Sequence, residues 1–241
     1  MQDQWYATWF DSPYYHLLYN NRNEEEASLF MDNLMNFLKP ETSENILDLA
    51  CGKGRHSAYL ASKGYKVTGV DLSVNSITHA KQFENSHLKF FVHDMRIPMP
   101  EKFHLILSLF TSFGYFEDVQ EDKKMLKSIY SSLESEGLFV LDFLNANYVM
   151  EHFQESMDTQ RDDIIFHIKK RIENGFVKKQ IEFIAEGKNH VYEECVRLFS
   201  PDELRELLLE CGFETISSFG NYQLEPLRND SNRCILVNRK R

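Results

Sequence analysis

The four cysteines, Cys51, Cys195, Cys211 and Cys234, form no Cys-x-x-Cys pair, and no Cys/His group has the spacing of a zinc site. Neither a disulfide framework nor a structural-zinc module is expected. No apolar run approaches the ~20 residues that a membrane-spanning helix needs. The stretch MQDQWYATWFDSPYYHLLY has no basic segment leading into an apolar one, so no signal peptide is expected. Positive charge is in deficit: 27 Lys and Arg face 37 Asp and Glu, for a formal net charge of −10. Binding a nucleic-acid backbone needs clustered cations, and Arg239-Lys240-Arg241 is too short to supply them. Repeats and low-complexity segments are absent. A reducing, cytoplasmic setting, with no nucleic-acid or membrane partner, is the default expectation. What the chain does have is core material. Its 241 residues are 42% hydrophobic and 13% aromatic, which argues against disorder.

Periodicity supplies the elements. Residues 24–38 carry apolar side chains at helical spacing, with glutamates at the start and Pro40 beyond the end. Strands are expected at 46–50, 66–70, 88–92, 103–110 and 138–144, and helices at 55–63, 73–83 and 119–133. Ser73 is a candidate N-cap and Gly64 a helix stop. Strand and helix thus alternate five times, which makes a parallel sheet with helices on both faces. The rhythm breaks over 161–199. There Asn174-Gly175 marks a hairpin, and 191–199 reads as a third antiparallel strand. Ser200, Pro201 and Glu203 spell a capping box for a helix through Leu209, and strands at 213–219 and 234–238 follow.

In an open α/β sheet, ligands lie outside the carboxyl ends of the strands. The residues expected there are Ala50, Cys51, Gly52 and Gly54 after the first strand, and Asp71 and Leu72 after the second. Asp94 and Met95 follow the third strand, Leu109 and its neighbours lie at the fourth, and Asn145 follows the fifth. The glycines let backbone approach a ligand closely. The third glycine of a dinucleotide fingerprint is missing, and Ser57 stands in its place. Asp71 is positioned to accept from both ribose hydroxyls of an adenine nucleoside, or else to cap the next helix. Asp48 lies inside the first strand. Its carboxylate would repel a pyrophosphate and attract an ammonium or sulfonium group; the alternative is an acid bonded to amides of the following loop. Arg55 and His56, which suit a phosphate, pull the other way. Asp94 is positioned to accept from an adenine amino group between the apolar Leu72 and Met95, or is simply a turn former. The balance favours a cationic, zwitterionic nucleoside.

Together these residues resemble the class I S-adenosylmethionine-dependent methyltransferases. ILDLACGKGRHS is similar to the family's first motif, GVDLS to the second, HDMR to the third and FHLILSLFTSFGYF to the fourth. ECVRLFSPDELRELLLECGF is similar to the stretch leading into its last helix and strand. The resemblance covers about residues 40–240 and implies S-adenosylmethionine as cofactor, with S-adenosylhomocysteine as product. It implies Asp48, Ala50, Cys51, Gly52 and Gly54 about the methionine part, and Asp71 on the ribose. Leu72, Asp94 and Met95 would lie near the adenine and Leu109 at the floor. The likeness is strongest to small-molecule methyltransferases whose N-terminal segment covers the cofactor, with SPYYHLLYNNR as the lid. Tyr15, Tyr19 and Arg22 would then share one helix face, the aromatics against the sulfonium and Arg22 on the cofactor carboxylate. The alternative is a surface helix docking its aromatics into the core. Leu109-Phe110-Thr111-Ser112 departs from the family's Asn- or Asp-containing fourth motif, which speaks against methylation of DNA bases.

The expected fold is therefore α/β. It is a Rossmann-like, doubly wound, mostly parallel seven-stranded sheet with helices on both faces, a small antiparallel β cap insertion and an N-terminal helical lid. One domain is expected: lid at 1–39, cofactor-binding core at 40–144, cap at 145–199, closing helix and strands at 200–241. The expected function is methyl transfer to a small-molecule acceptor, by a monomer or a homodimer, without a metal. No general base is legible. His167, Tyr115 and Arg197 are candidates by position, and the catalytic residue stays unassigned. An NAD(P)-dependent oxidoreductase is opposed by Asp48 and the missing glycine. A non-catalytic nucleoside-binding protein of the same fold is opposed by the intact glycine turn and Asp71.

Overall fold

The computed structural model describes residues 5–19 and 24–241. In chain order the elements are α1 (Trp5–Trp9), α2 (Pro13–Leu18), α3 (Glu24–Leu38), β1 (Asn45–Leu49), α4 (Arg55–Ser62), β2 (Lys66–Asp71), α5 (Val74–Ala80), β3 (Leu88–Val92) and β4 (Phe103–Ser108). Next come α6 (Val119–Ser132), β5 (Leu133–Leu144) and α7 (Ala146–Glu151). An antiparallel unit follows, β6 (Ser156–Arg161), β7 (Ile164–Glu173), β8 (Phe176–Ala185) and β9 (Lys188–Arg197). The chain then runs through α8 (Pro201–Glu210), β10 (Phe213–Phe219) and β11 (Arg233–Lys240).

Among the described residues, seven strands form one sheet in the order β10-β11-β5-β4-β1-β2-β3, and β6 to β9 form a second. β1 to β5 run parallel, while β11 is antiparallel to both β5 and β10. Chain order reverses between β1 and β4, which opens a crevice at their carboxyl ends. Alternating side chains separate the two faces of the sheet. Leu47, Leu49 and Ile106 pack with Met125, Leu126 and Ile129 of α6 and Leu204 and Leu208 of α8. Ile46, Leu105 and Leu107 pack with Phe30, Met31 and Leu34 of α3, Leu60 of α4 and Ile77 of α5. Each such side chain contributes about 1.5–3 kcal/mol on burial. A helix cap contributes about 1 kcal/mol. Packing therefore sets the Rossmann-like fold, and caps such as Ser73 on Ser76 N–H and the Ser200–Glu203 box set the boundaries. The lid rests on the second sheet, where Trp9 and Leu18 join Phe166, Ile168, Ile181 and Phe183.

Several elements differ from the sequence pattern. The link from β3 to β4 holds no helix, so the alternation is interrupted there; Pro98 and Pro100 remove backbone donors. The helix expected over 73–83 is α5 followed by a 3-10 turn, Lys81–Phe83. β4 stops at Ser108 because Phe110 and Thr111 take positive φ, 56° and 66°. The cap has four strands rather than three. Its edge strand β6, SMDTQR, has no apolar alternation and exists through pairing with β7. α7 was not foreseen; Asn145 caps it by accepting from Asn147 N–H. Of the stretch 1–39 expected as a lid, α3 packs in the sheet core instead, and among the described residues two short helices, α1 and α2, remain as the lid. α2 ends at Leu18 with Tyr19 as its C-cap, and the Tyr15 and Tyr19 rings lie 5.1 Å apart. Arg22 lies outside the described residues.

Candidate active site

The turn after β1 is left-handed. Ala50, Gly52 and Gly54 have φ of 60°, 56° and 79°, and Gly54 is the N-cap of α4. A Cβ on Gly54 would meet the Phe90 ring at 2.5 Å, so packing as well as φ demands glycine. A Cβ on Gly52 would meet nothing within 4 Å. Asp71, at the end of β2, ties this turn down. Its Oδ2 accepts from Gly52 N–H and its Oδ1 from Ser73 N–H, both at 2.8 Å. Burial raises its carboxyl above the ordinary range, against the pull of those amides.

Asp48 lies beneath the turn at 2% exposure. Its partner is Ser57 of α4, whose Oγ donates to Oδ2 at 2.6 Å. The residue in the third-glycine slot therefore serves the acid inside the strand. Burial pushes the Asp48 carboxyl up to about 6, and the Ser57 bond only partly opposes it. Asp94 is clamped by Arg96. Nε donates to both its oxygens (3.0 and 3.2 Å) and Nη2 to Oδ2 (2.6 Å), while Nη1 donates to Glu121 (2.6 Å). These bonds hold the Asp94 carboxyl below its usual range.

Above this floor lies a cavity with about 780 Å³ of empty space. Gly52, Asp71, Leu72 and Met95 border it from the core, Phe10, Tyr15 and His16 from the lid. Asp11 fastens the lid to the start of α5, accepting from Ser73 Oγ (2.5 Å), Asn75 N–H (3.1 Å) and Asn75 Nδ2 (2.7 Å). Burial lowers His16 to about 4, so its ring is neutral beside Ser76 Oγ at 3.3 Å.

A second, more open cavity of about 1790 Å³ lies between the lid, α7, the cap sheet and the segment 221–233. Phe10, Tyr15 and Tyr115 border both cavities. Two buried carboxylates organise the second. Glu194 Oε1 accepts from Trp9 Nε1 (2.8 Å) and Tyr19 OH (2.7 Å), and Oε2 from Lys179 Nζ (2.9 Å). Asp142 accepts from Arg233 Nε (2.7 Å), Phe110 N–H (2.8 Å) and Tyr222 OH (3.2 Å). Arg233 Nη2 also reaches Thr111 Oγ1 at 3.1 Å.

Of the residues expected at the cofactor, Tyr15, Ala50, Gly52, Asp71, Leu72, Asp94 and Met95 border the first cavity. Tyr19 borders the second instead. Asp48, Cys51, Gly54 and Leu109 border neither cavity. Asp48 is bonded below the turn, Gly54 packs on Phe90, and Cys51 and Leu109 lie in the core. Among the candidate bases, Tyr115 stands at the shared wall and donates to Thr111 O at 2.5 Å. His167 is exposed on β7 beside Asp158 at 2.9 Å. Arg197 donates to the carbonyls of Phe116 and Glu117, away from either floor. Glu194, Lys179, Asp142 and Arg233 escaped the sequence reading, because their partners lie mostly on distant elements.

Residues 21–218 match a family model described as a methyltransferase domain. The chain is 26% identical over 229 residues to glycine/sarcosine N-methyltransferase of Aphanothece halophytica, covering 91% of this chain and 83% of that one. It superposes on an S-adenosylmethionine-dependent methyltransferase from Clostridium acetobutylicum ATCC 824 with a TM-score of 0.80 at 20% identity, covering 94% and 96% of the two chains. It superposes on CalS10, an amino pentose methyltransferase from Micromonospora echinaspora solved with S-adenosylmethionine bound, with a TM-score of 0.71 at 17% identity, covering 92% and 93%. The chain belongs to the methyltransferase-domain family and is an enzyme of that family.

Proposed function

We propose that this methyltransferase moves a methyl group from S-adenosylmethionine in the first cavity to an amine nitrogen of a small molecule in the second, with S-adenosylhomocysteine as product. The observation that carries the reading is the shared wall. Phe10, Tyr15 and Tyr115 border both cavities, so donor and acceptor would meet there. The chain's own atoms suit the donor. Space is open over Gly52, where a ligand would lie close to the backbone. Each oxygen of Asp71 accepts an amide at 2.8 Å, and a carboxylate's roughly four acceptor positions leave room for a ribose hydroxyl as well. Leu72 and Met95 offer apolar walls to a purine. The amine acceptor is supported by the activities of the similar glycine/sarcosine and amino pentose enzymes.

When bound, S-adenosylmethionine supplies a methyl group made electrophilic by a sulfonium. The protein's residues bind and align. Asp71 and the glycine turn would fix the donor, with Ala50 beside it. The aromatic wall offers π faces to a cation, worth about 0.5–2 kcal/mol. Phe10 and Tyr15 of the lid would cover the meeting point from one side. Glu194 and Asp142 are committed to donors, so neither is poised to take a proton, and the amine would reach the wall already neutral. Lid, core, cap and closing strands act as one domain in this reading, because the second cavity draws residues from all four.

Titration calorimetry with S-adenosylhomocysteine and with NAD, followed by an assay for S-adenosylhomocysteine formation over a panel of small amines, tests the proposal. Binding of the first ligand and turnover of at least one amine are expected. Heat from NAD alone would sink the donor assignment. Donor binding without turnover of any amine would sink the acceptor assignment.

A further inference from the structure

The inner face of the cap sheet carries one charged row between apolar ones. Strand register sets Ile168, Ile181 and Tyr192 side by side, then Lys170, Lys179 and Glu194, then Ile172, Val177 and Val196. The middle row borders the second cavity. It contains two cations and one anion, and the two cations face each other across β7 and β8. Like charges directly opposite destabilise a strand pair. Lys179 is matched, with Nζ 2.9 Å from Glu194 Oε2. Glu194 is filled by Trp9 and Tyr19 on its other oxygen. Arg233, the cation on the opposite border, is matched by Asp142 at 2.6 Å. Glu26 also borders the cavity and has a partner of its own. Lys170 is half-buried and, among the described residues, belongs to no ion pair. Burial and the neighbouring Lys179 both work against its charge.

We propose that Lys170 binds an anionic group of the methyl acceptor, a carboxylate or a phosphate, so that the substrates are amines bearing such an anion. The proposal rests on reading the second cavity as the acceptor site. An anion at Lys170 would complete a row of two cations and two anions. It would also hold the acceptor at one end while the amine reaches the aromatic wall at the other. No residue of this chain supplies that second anion in the described structure, and a substrate arriving from solvent can.

Matched acceptors that differ in the anion test this. Glycine against glycinamide and sarcosine against sarcosinamide probe a carboxylate; glucosamine 6-phosphate against glucosamine probes a phosphate. S-adenosylhomocysteine formation is measured for wild type, K170M and K170R, with calorimetry of donor binding for each. Wild type is expected to favour the anionic member of at least one pair by about tenfold or more in kcat/KM, and the pair concerned tells carboxylate from phosphate. K170M should abolish that preference and K170R should keep most of it, with donor affinity alike in all three. Intact donor binding without preference for the anionic member in any pair overturns the proposal, as does a preference that K170M leaves untouched. Loss of donor binding in wild type would instead strike the underlying reading.

Discussion

The floor of the first cavity and the frame of the second are held by different kinds of contact. In the first, Asp71 bonds Gly52 and Ser73, and Asp94 bonds Arg96, two residues along. In the second, Glu194 in the cap joins Trp9 and Tyr19 in the lid, and Asp142 on β5 joins Arg233 on β11. One floor is formed by the turns that end each strand. The other frame exists only once lid, cap and closing strands have docked. A site framed in the first way depends little on the cap, whereas one framed in the second way can be altered by substitutions in lid, cap or closing strands alike.

The contrast breaks most sharply at Asp142, which is fully buried. Asp142→Ala would leave a mostly buried guanidinium unpaired, at a cost of about 3 kcal/mol in urea-unfolding stability. A loss near zero would show that Arg233 is solvated through the cavity rather than locked by the frame. The next largest effect belongs to the first floor and depends on pH. Folding raises the Asp48 carboxyl from 3.8 to about 6. Between those values the folded state binds more protons than the unfolded one, so stability from this group increases as pH falls from about 6 to about 4. Asp48→Asn should flatten that segment of the stability–pH curve by about 2–3 kcal/mol. An unchanged slope would mean that Asp48 stays ionised through the Ser57 bond.

Asp71→Ala should weaken S-adenosylhomocysteine binding by tenfold or more, on the order of 1.5 kcal/mol. Unchanged affinity would refute the ribose role. The smallest effect is expected at the lid. Its tie to the core, Asp11 on Ser73 and Asn75, is only partly buried, whereas its tie to the cap, Glu194, is buried. Asp11→Ala should speed hydrogen exchange over 5–18, a local loss of roughly 0.5–1 kcal/mol. Global unfolding should hardly change. A large drop in global stability would show that lid and core are as tightly coupled as lid and cap.

Sequence spacing locates the floor of the first cavity because its residues cluster at strand ends. Asp71 is the last residue of β2, and Gly52 and Asp94 lie within three residues of the ends of β1 and β3, so locating the strand ends locates them. It fails for Cys51 and Leu109, which stand in the same loops but send their side chains into the core. It fails for Phe10, whose position depends on how α1 docks against the cap and the rim, a matter of long-range packing. Asp48 stands out in the sequence, yet its partner Ser57 is visible only once α4 folds back over β1. For Lys170 a signal does exist. The Asn174-Gly175 turn pairs Glu173 with Phe176, and counting back from it sets Lys170 opposite Lys179. Glu194 then follows from the next hairpin.

The lid's two helices roof one cavity and wall the other, which makes them a common door. With donor and acceptor placed as proposed, movement that would let spent cofactor out would also dismantle the wall against which an acceptor would rest. Departure of one product and exchange of the other substrate would become a single event, and the enzyme's pace would then follow the opening of α1 and α2 rather than the transfer itself.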